Sequence, residues 1–418
     1  MLTSGRSFFH PGETIRSRQA WLRRLRDAAV RSAPAEDDFV VDVQTDASLV
    51  VRQWEELEPC GTVFQTRAWL LPWYRIVAPR FNASPLFVTV SQRKTGRALM
   101  FFPLCLRRKR GLRIVEFADL GVCDYNTPVM APGLAVTAGA MASLWTDICR
   151  RLPPADIVRF TKTPEFSSRC LVPLVQLDWM QRMDLRSWTL PLPQTRDEYD
   201  RLILKPKDRK EQRRKHRNLS EALGDVTFLT ASTATARREI FEALTRQRRD
   251  RFRDCGRWDI LDDPTFFRFY ETVALESQGE IAALSALRVA DKPVATLFAL
   301  VHNGSYCLLM HSFDLDIERL SPGIVAIDEM ISRAIESRLS CFDFTIGNET
   351  YKRRFGTKAG FLYEGLYPLS AKGRAAAVVK AAGRRVKSTA ARSAGVLKAG
   401  VKAGLNRVFE VRGPQGSP

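Results

Sequence analysis

The feature that most limits the fold is a succession of short apolar runs that occurs twice along the chain. In the first half, an apolar run at 86–90 is followed by the polar turn QRKTG, a run at 98–106, a turn at Gly111 and a run at 114–117. A helical stretch at 141–152 and a short strand at 157–160 come next. In the second half, runs at 284–289, 294–301 and 306–312, separated by ADK and Asn303-Gly304, lead into a helix over 322–339 and a strand over 341–346. Short apolar runs bounded by turn residues are strand signals. Equivalent points (Leu86 and Leu284, Gly111 and Gly304, Ile157 and Phe342) lie 198, 193 and 185 residues apart. The pattern predicts one α/β unit built twice, each with a mostly antiparallel sheet flanked by helices. With 418 residues, 45% of them apolar, the chain has enough material for two such cores.

The predicted organisation is a basic segment over 1–35, a first half over 36–185, a second half over 186–370 and a basic tail over 371–418. The stretch WTLPLP at 188–193 reads as an extended linker between the halves. Two segments carry nearly all of the net charge of +19: residues 205–217 hold a net +6 and residues 371–418 a net +10. Such blocks suit an anionic partner or a solvated helix face. In the tail, Val386, Ala390, Ala394, Leu397, Val401, Leu405 and Val408 recur as a narrow stripe with cations off it, the pattern of a basic amphipathic helix on an anionic membrane surface.

No run approaches ~18 apolar residues, so no bilayer-spanning helix is expected, and the N-terminus has no apolar signal region. The eight cysteines form no C-x-x-C pair and no Cys/His cluster with zinc spacing, so no metal is expected. A cytoplasmic location is expected, peripheral at the inner membrane if the tail binds there.

The strongest chemical signal is a strand-to-helix junction, M-H-S-F-D-L-D-I-E-R-L-S-P-G-I, over 310–324. Ser321 suits an N-cap and Pro322 the first helical position. Ile324, Ile327, Ile331 and Ile335 define a core face. Gly323 keeps the helix start free of side-chain bulk. Arg319 lies just upstream, and such a terminus suits a phosphate group.

Three antiparallel strands, this helix and a following strand resemble the GNAT acyltransferase fold. The segments GTVFQTRAWLLPWY (61–74), FADLGVCDYNTPVMAPG (117–133), LSPG (320–323) and FDFTIGNETYKRRFG (342–356) together resemble the CelD-like acetyltransferase family, a GNAT branch associated with cellulose and exopolysaccharide biosynthesis. The likeness spans roughly residues 40–370. The 342–356 segment and the duplication also resemble the Fem aminoacyltransferases, which have two GNAT-like halves. The resemblance implies a tandem GNAT-like α/β protein that transfers an acyl group, with acetyl-CoA as donor and a sugar or envelope precursor as acceptor. It implies that Arg319, Ser321, Pro322, Gly323 and Ile324 hold the donor's pyrophosphate. The helix entry R-L-S-P-G departs from the family's R/Q-x-x-G-x-G/A.

Acyl transfer needs a base for the acceptor and an acid for the leaving thiolate. His311 is a candidate base because its reference pKa lies near neutrality, with a structural histidine as its other reading. Asp314 is an alternative base or a turn residue. The GNAT resemblance implies Tyr351, after the last strand, as the candidate acid, with a packed aromatic as its other reading. Asp343, Lys352 and Arg353 are candidate substrate-binding residues, and Asp343 needs a partner inside its strand. Asp124 and Tyr125 are candidates for acceptor binding, while Gln65, Trp69 and Trp73 belong to a matching segment whose aromatics read as core. The competing readings are a Fem-like enzyme that uses aminoacyl-tRNA, with 205–217 meeting the RNA, and a non-catalytic adaptor of a membrane or polysaccharide complex. Nucleic acid is otherwise not expected as a partner.

Overall fold

The computed structural model describes residues 38–167, 170–276 and 281–380. Its strands are β1 (Phe39–Gln44), β2 (Ala83–Gln92), β3 (Ala98–Lys109), β4 (Leu112–Phe117), β5 (Ile157–Pro164), β6 (Met180–Pro191), β7 (Val226–Thr230), β8 (Ala282–Val289), β9 (Lys292–His302), β10 (Ser305–Phe313), β11 (Cys341–Ile346) and β12 (Lys358–Pro368). They join one sheet in the order β1-β2-β3-β4-β5-β12-β6-β11-β10-β9-β8-β7, with the short strand Val129–Met130 pairing to the side of β3.

The two ends of this sheet have the same plan. In the first half β1 to β4 are antiparallel neighbours, and β4 then runs parallel to β5. In the second half β7 to β10 are antiparallel, and β10 runs parallel to β11. The duplication read from the apolar runs is therefore present in the topology. At the centre each half lends its last strand to the other: β6 follows β5 in sequence but pairs with β11, and β12 follows β11 but pairs with β5. The lent strands also pair with each other.

This exchange corrects the reading of WTLPLP as a linker. Residues 188–191 lie inside β6, where Thr189 sits opposite Asp343 on one side and Lys358 on the other. The alternation of Trp188, Thr189 and Leu190 is the period-2 signal of a strand. Pro191 is tolerated because it ends the strand.

The longest helices are α1 (Ala138–Arg151), α2 (Pro206–Leu223), α3 (Ala234–Asp254), α4 (Pro264–Leu275) and α5 (Pro322–Glu336). Local chemistry sets their ends. Thr137, Thr233 and Asp263 accept first-turn amides with their side chains. The basic block opens α2 with Pro206 at its first position, and Gly224 closes it at a φ of 79° that a residue with a Cβ rarely adopts. The cations of α2 largely face solvent, several of them in ion pairs such as Arg214 with Glu211 and Arg217 with Glu221.

Two apolar cores flank the second half of the sheet on opposite faces, and the larger continues over both faces of the first half. The larger joins the halves: Trp54, Phe64, Trp69, Trp73 and Phe101 from the first half pack with Phe241, Phe269, Leu284 and Phe298 from the second. The Trp69 ring meets Phe269 edge-on at 4.9 Å, which agrees with the reading of these aromatics as core. The second core lies under α5, where Ile327, Ile331 and Ile335 meet Tyr306, Phe342 and Phe344. No helix among the described residues is long and apolar enough to cross a membrane. Residues 371–380 begin the tail as a helix; the whole proposed amphipathic stripe, Val386 to Val408, and the basic stretch over 1–35 fall outside the described residues.

The strand exchange predicts that neither half folds alone, because each lacks a central strand of its own sheet. Separate production of 38–193 and 194–380, which keeps β6 whole, should give no cooperative unfolding transition from either piece, whereas co-production should restore one. A sharp transition from an isolated half would contradict the exchange.

A candidate active site at the junction of the halves

Each half has a place where two parallel strands diverge, and the two places differ. In the first half β4 and β5 stay paired only through Ile114–Ile157 and Val115–Val158. Beyond that point the Phe117 and Phe160 rings meet at 4.6 Å, and Asp119 forms an ion pair with Lys162 at 2.6 Å. Side chains thus close this opening, and Thr137 caps the helix beside it through the amide of Ala140 at 3.1 Å.

In the second half β10 and β11 pair from Ser305–Cys341 to Cys307–Asp343 and then separate. Asp343 is thus the last paired residue at the root of the opening. The adjacent helix α5 begins with Ser321 in the left-handed region (φ 58°), and the Ser321 side chain caps no amide. Its first-turn amides therefore have no side-chain partner from the cap. Pro322 is at the first helical position, as read from sequence, and both it and Gly323 are buried. A Cβ on Gly323 would come within 2.9 Å of the Phe313 ring, so glycine here allows the helix to approach β10. Arg319 is exposed just before this turn, and Ile324 is half-buried.

A loop of the first half reaches the root of the opening. Three side chains of the 61–74 segment hold it: Gln65 Nε2 donates to the Tyr125 carbonyl (2.8 Å), Trp69 Nε1 to the Cys123 sulfur (3.2 Å) and Trp73 Nε1 to the Asp119 carbonyl (3.0 Å). Within the loop, Asp119 accepts from the amides of Gly121 and Cys123 and from Asn126 Nδ2, all at 2.9 Å. The loop so fixed places Tyr125 Oη 2.8 Å from Asp343 Oδ1, to which it donates. Two residues that sequence reasoning chose separately are thus in direct contact across the halves.

Asp343 is 8% exposed. Burial dominates its chemistry and pushes its pKa up to about 6, against the hydrogen bonds from Tyr125 and the Thr345 amide (2.7 Å) and the charge of Lys352. Thr345 takes a φ of 55°, unusual for a β-branched residue, and so turns its amide back onto that carboxylate. Asp124 lies beside the same threonine, and burial raises its pKa as well.

His311 and Tyr351, proposed together as base and acid, are hydrogen-bonded through Nε2 and Oη at 3.1 Å. Burial, with Arg251, Arg248 and Lys352 nearby, holds the His311 pKa down to about 3, so the ring is neutral near pH 7. Its Nδ1 is buried without a protein partner. Burial also raises the pKa of Tyr351, which keeps its proton.

The other candidates are placed differently. Asp314 is bound to Lys292 (2.8 Å) and caps the turn after β10, and its pKa is lowered. Lys352 is 4% exposed and tied to the Ile346 carbonyl (2.7 Å) and Glu349 (3.1 Å). Arg353 is exposed, with its guanidinium 5.0 Å from the Trp188 ring centre.

Sequence reading missed Arg248 and Arg251, which come from α3, and Thr345. The signal available for Arg248 was a later acid: it pairs through two hydrogen bonds with Asp259, which is 1% exposed.

Residues 206–353 match the Acetyltransferase (GNAT) domain family. The match covers that segment of the second half, and an acetyltransferase domain there supports a transferase. Among solved structures, FemX superposes with a TM-score of 0.54 at 10% identity, covering 77% of this chain and 96% of that one. A tandem GNAT protein from the clavulanic acid biosynthesis pathway gives 0.43 at 12% identity, covering 80% and 99%. A conserved protein of unknown function from Bacteroides thetaiotaomicron VPI-5482 gives 0.49 at 12%, covering 78% and 99%. No curated protein matches the chain. At such identity the likeness to FemX speaks to the fold alone, a large mixed sheet flanked by helices.

The Asp343 pKa has a signed consequence for stability. The folded value of about 6 exceeds the ordinary 3.8, so the native state binds the extra proton between those pH values. This group's contribution therefore falls as pH rises through that window, by about 3 kcal/mol. Asp343→Asn should unfold at a higher temperature than the parent at pH 7.5, and the two should converge near pH 4. Thermal scans at both pH values check this; a variant less stable at pH 7.5 would contradict the buried charge.

Proposed function

We propose that this chain transfers an acyl group from coenzyme A, most simply acetyl, to an amine or hydroxyl of a sugar or cell-envelope precursor such as an exopolysaccharide unit. The observation that carries the reading is the buried Tyr125–Asp343 pair at the root of the opening in the half that matches the GNAT family. The residues fit a coenzyme A thioester there better than in the first half. The strands separate, the helix start is uncapped by Ser321, and Arg319 stands exposed beside it. Arg319 and the amide of Gly323 would hold its phosphates, and Ser321 and Pro322 shape that turn, with the Ile324 amide donating to the Ser321 carbonyl (3.0 Å). The thioester supplies the activated acyl carbon.

Asp343 is the better base. A carboxylate with a pKa near 6 is ionised at pH 7 and retains useful proton affinity, whereas an imidazole held down to about 3 is a weak acceptor. As the acceptor's nitrogen or oxygen bonds to the acyl carbon, its proton passes to an Asp343 oxygen. Tyr125 orients that carboxylate from the first half. Tyr351 keeps the proton that a leaving thiolate requires, and His311 orients the phenol by their hydrogen bond. Asp124, partly exposed in the same loop, is placed to meet the acceptor.

A second reading is Fem-like transfer of an aminoacyl group from tRNA, favoured by the exposed cations Lys207, Lys210, Arg213, Arg214 and Arg217 on α2. Salt-sensitive tRNA binding without affinity for coenzyme A would select it.

Calorimetry with acetyl-CoA should show binding, and absence of binding at millimolar levels would remove this donor. In a thiol-release assay with amine and sugar acceptors, kcat/KM should rise with pH to a plateau, with an apparent pKa of about 6. Asp343→Asn should lower kcat/KM by about 10²- to 10⁴-fold without weakening acetyl-CoA binding. A variant within about threefold of the parent would remove Asp343 from the base role.

A further inference from the structure

A cleft of about 360 Å³ lies between α2 and α5, away from the site above. Asp343 faces away from α5: its neighbours Phe342 and Phe344 belong to the core under that helix, whereas Asp343 pairs in register with Cys307 of the other core. A molecule in this cleft is therefore separated from the proposed acceptor by the sheet.

The cleft contains buried polar groups with unused capacity. Asp328 is 3% exposed, and its Oδ2 accepts from Arg196 Nη2 and meets His216 Nε2, both at 3.0 Å. Its Oδ1 is buried and has no hydrogen-bond partner among the described residues. Gln212, 5% exposed, lines the same wall. It lies beside the Tyr199 hydroxyl, which donates to the Phe355 carbonyl (3.2 Å) and can accept from Gln212 Nε2, whereas Gln212 Oε1 has no hydrogen-bond partner among the described residues. Arg209 donates to the Asp200 carbonyl (3.1 Å) and pairs with no carboxylate among the described residues. A buried donor or acceptor left without a partner destabilises the fold, so such groups together in one cleft call for something to bind them.

The lining carries Arg196, Arg209 and Arg213 against Asp200, Asp328 and Glu329, with His216 between Asp328 and Glu329. Charge is close to balanced, which disfavours a polyanion. The open functions are one carboxylate oxygen, one guanidinium and one amide oxygen. From these we infer that the α2–α5 cleft binds a free α-amino acid: its ammonium donates to Asp328 Oδ1, its carboxylate meets Arg209, and Gln212 Oε1 accepts from the ammonium or from a polar side chain. The occupant would brace α5, whose first turn packs against Phe313 beside the proposed donor opening. The cleft is thus an effector site, distinct from the transfer chemistry.

The test is a thermal-shift screen of the full chain with each proteinogenic amino acid at about 10 mM, followed by calorimetry on those that respond. At least one should raise the melting temperature by about 2 °C or more. Its N-acetyl and methyl-ester forms, which lack the ammonium or the carboxylate, should not. Asp328→Asn would disturb Arg196 and His216 and risk the fold, so Arg209→Gln serves as the site variant and should lose the response. Asp343→Asn should keep it, which separates this inference from the proposed transfer site. The inference is overturned if no amino acid acts, if the blocked forms act equally, if Arg209→Gln responds like the parent, or if Asp343→Asn abolishes the response.

Discussion

The structure depends on a hydrogen bond between halves, from the Tyr125 phenol to the buried Asp343 carboxylate. Away from water an unpaired carboxylate would be costly, so Asp343 is tolerable only if the first half delivers Tyr125 to it. That delivery uses Gln65, Trp69 and Trp73, each donating to the loop that ends at Tyr125. The larger core clamps the same tryptophans between the halves. Packing, loop geometry and the protonation of one carboxylate therefore form a single linked system.

The exchanged strands explain why this junction is rigid. β6 and β12 pair with each other at the centre of the sheet, each beside a strand of the opposite half. The halves cannot part without breaking ladder hydrogen bonds. Duplication followed by exchange also lets the halves diverge in role. In the first, Phe117, Phe160, Asp119 and Lys162 close the strand opening. In the second, the strands separate at Asp343 and the helix start lacks a side-chain cap. The first half presents Tyr125 and Asp124 at the junction, and the second keeps its strand pair open there.

Much of this was legible in the chain. The apolar runs located β2 to β5 and β8 to β11 to within a few residues, because alternation and turn residues report local geometry, whereas β1 and β12 went unread. Asp343 stood out as an acid between two phenylalanines, and Tyr125 as part of a loop segment. Their contact spans 218 residues, and no local pattern encodes such a distance. The exchange was hidden for the same reason: WTLPLP has two prolines, and only its partners reveal it as a central strand. α3 escaped notice because its polar face is dense in arginine, which masks the apolar spacing of Ile240, Phe241 and Leu244. The depressed His311 pKa depends on burial and on cations from that unread helix. Residue type alone made this histidine look like the natural base.

The most direct measurement is a carbon-13 titration of aspartate side chains in the intact protein, with Asp343→Asn to assign the resonance. The account predicts one carboxyl that titrates near pH 6 and moves higher when Tyr125 is replaced by phenylalanine. Titration of Asp343 at the ordinary value near 3.8, unaffected by Tyr125, would contradict it.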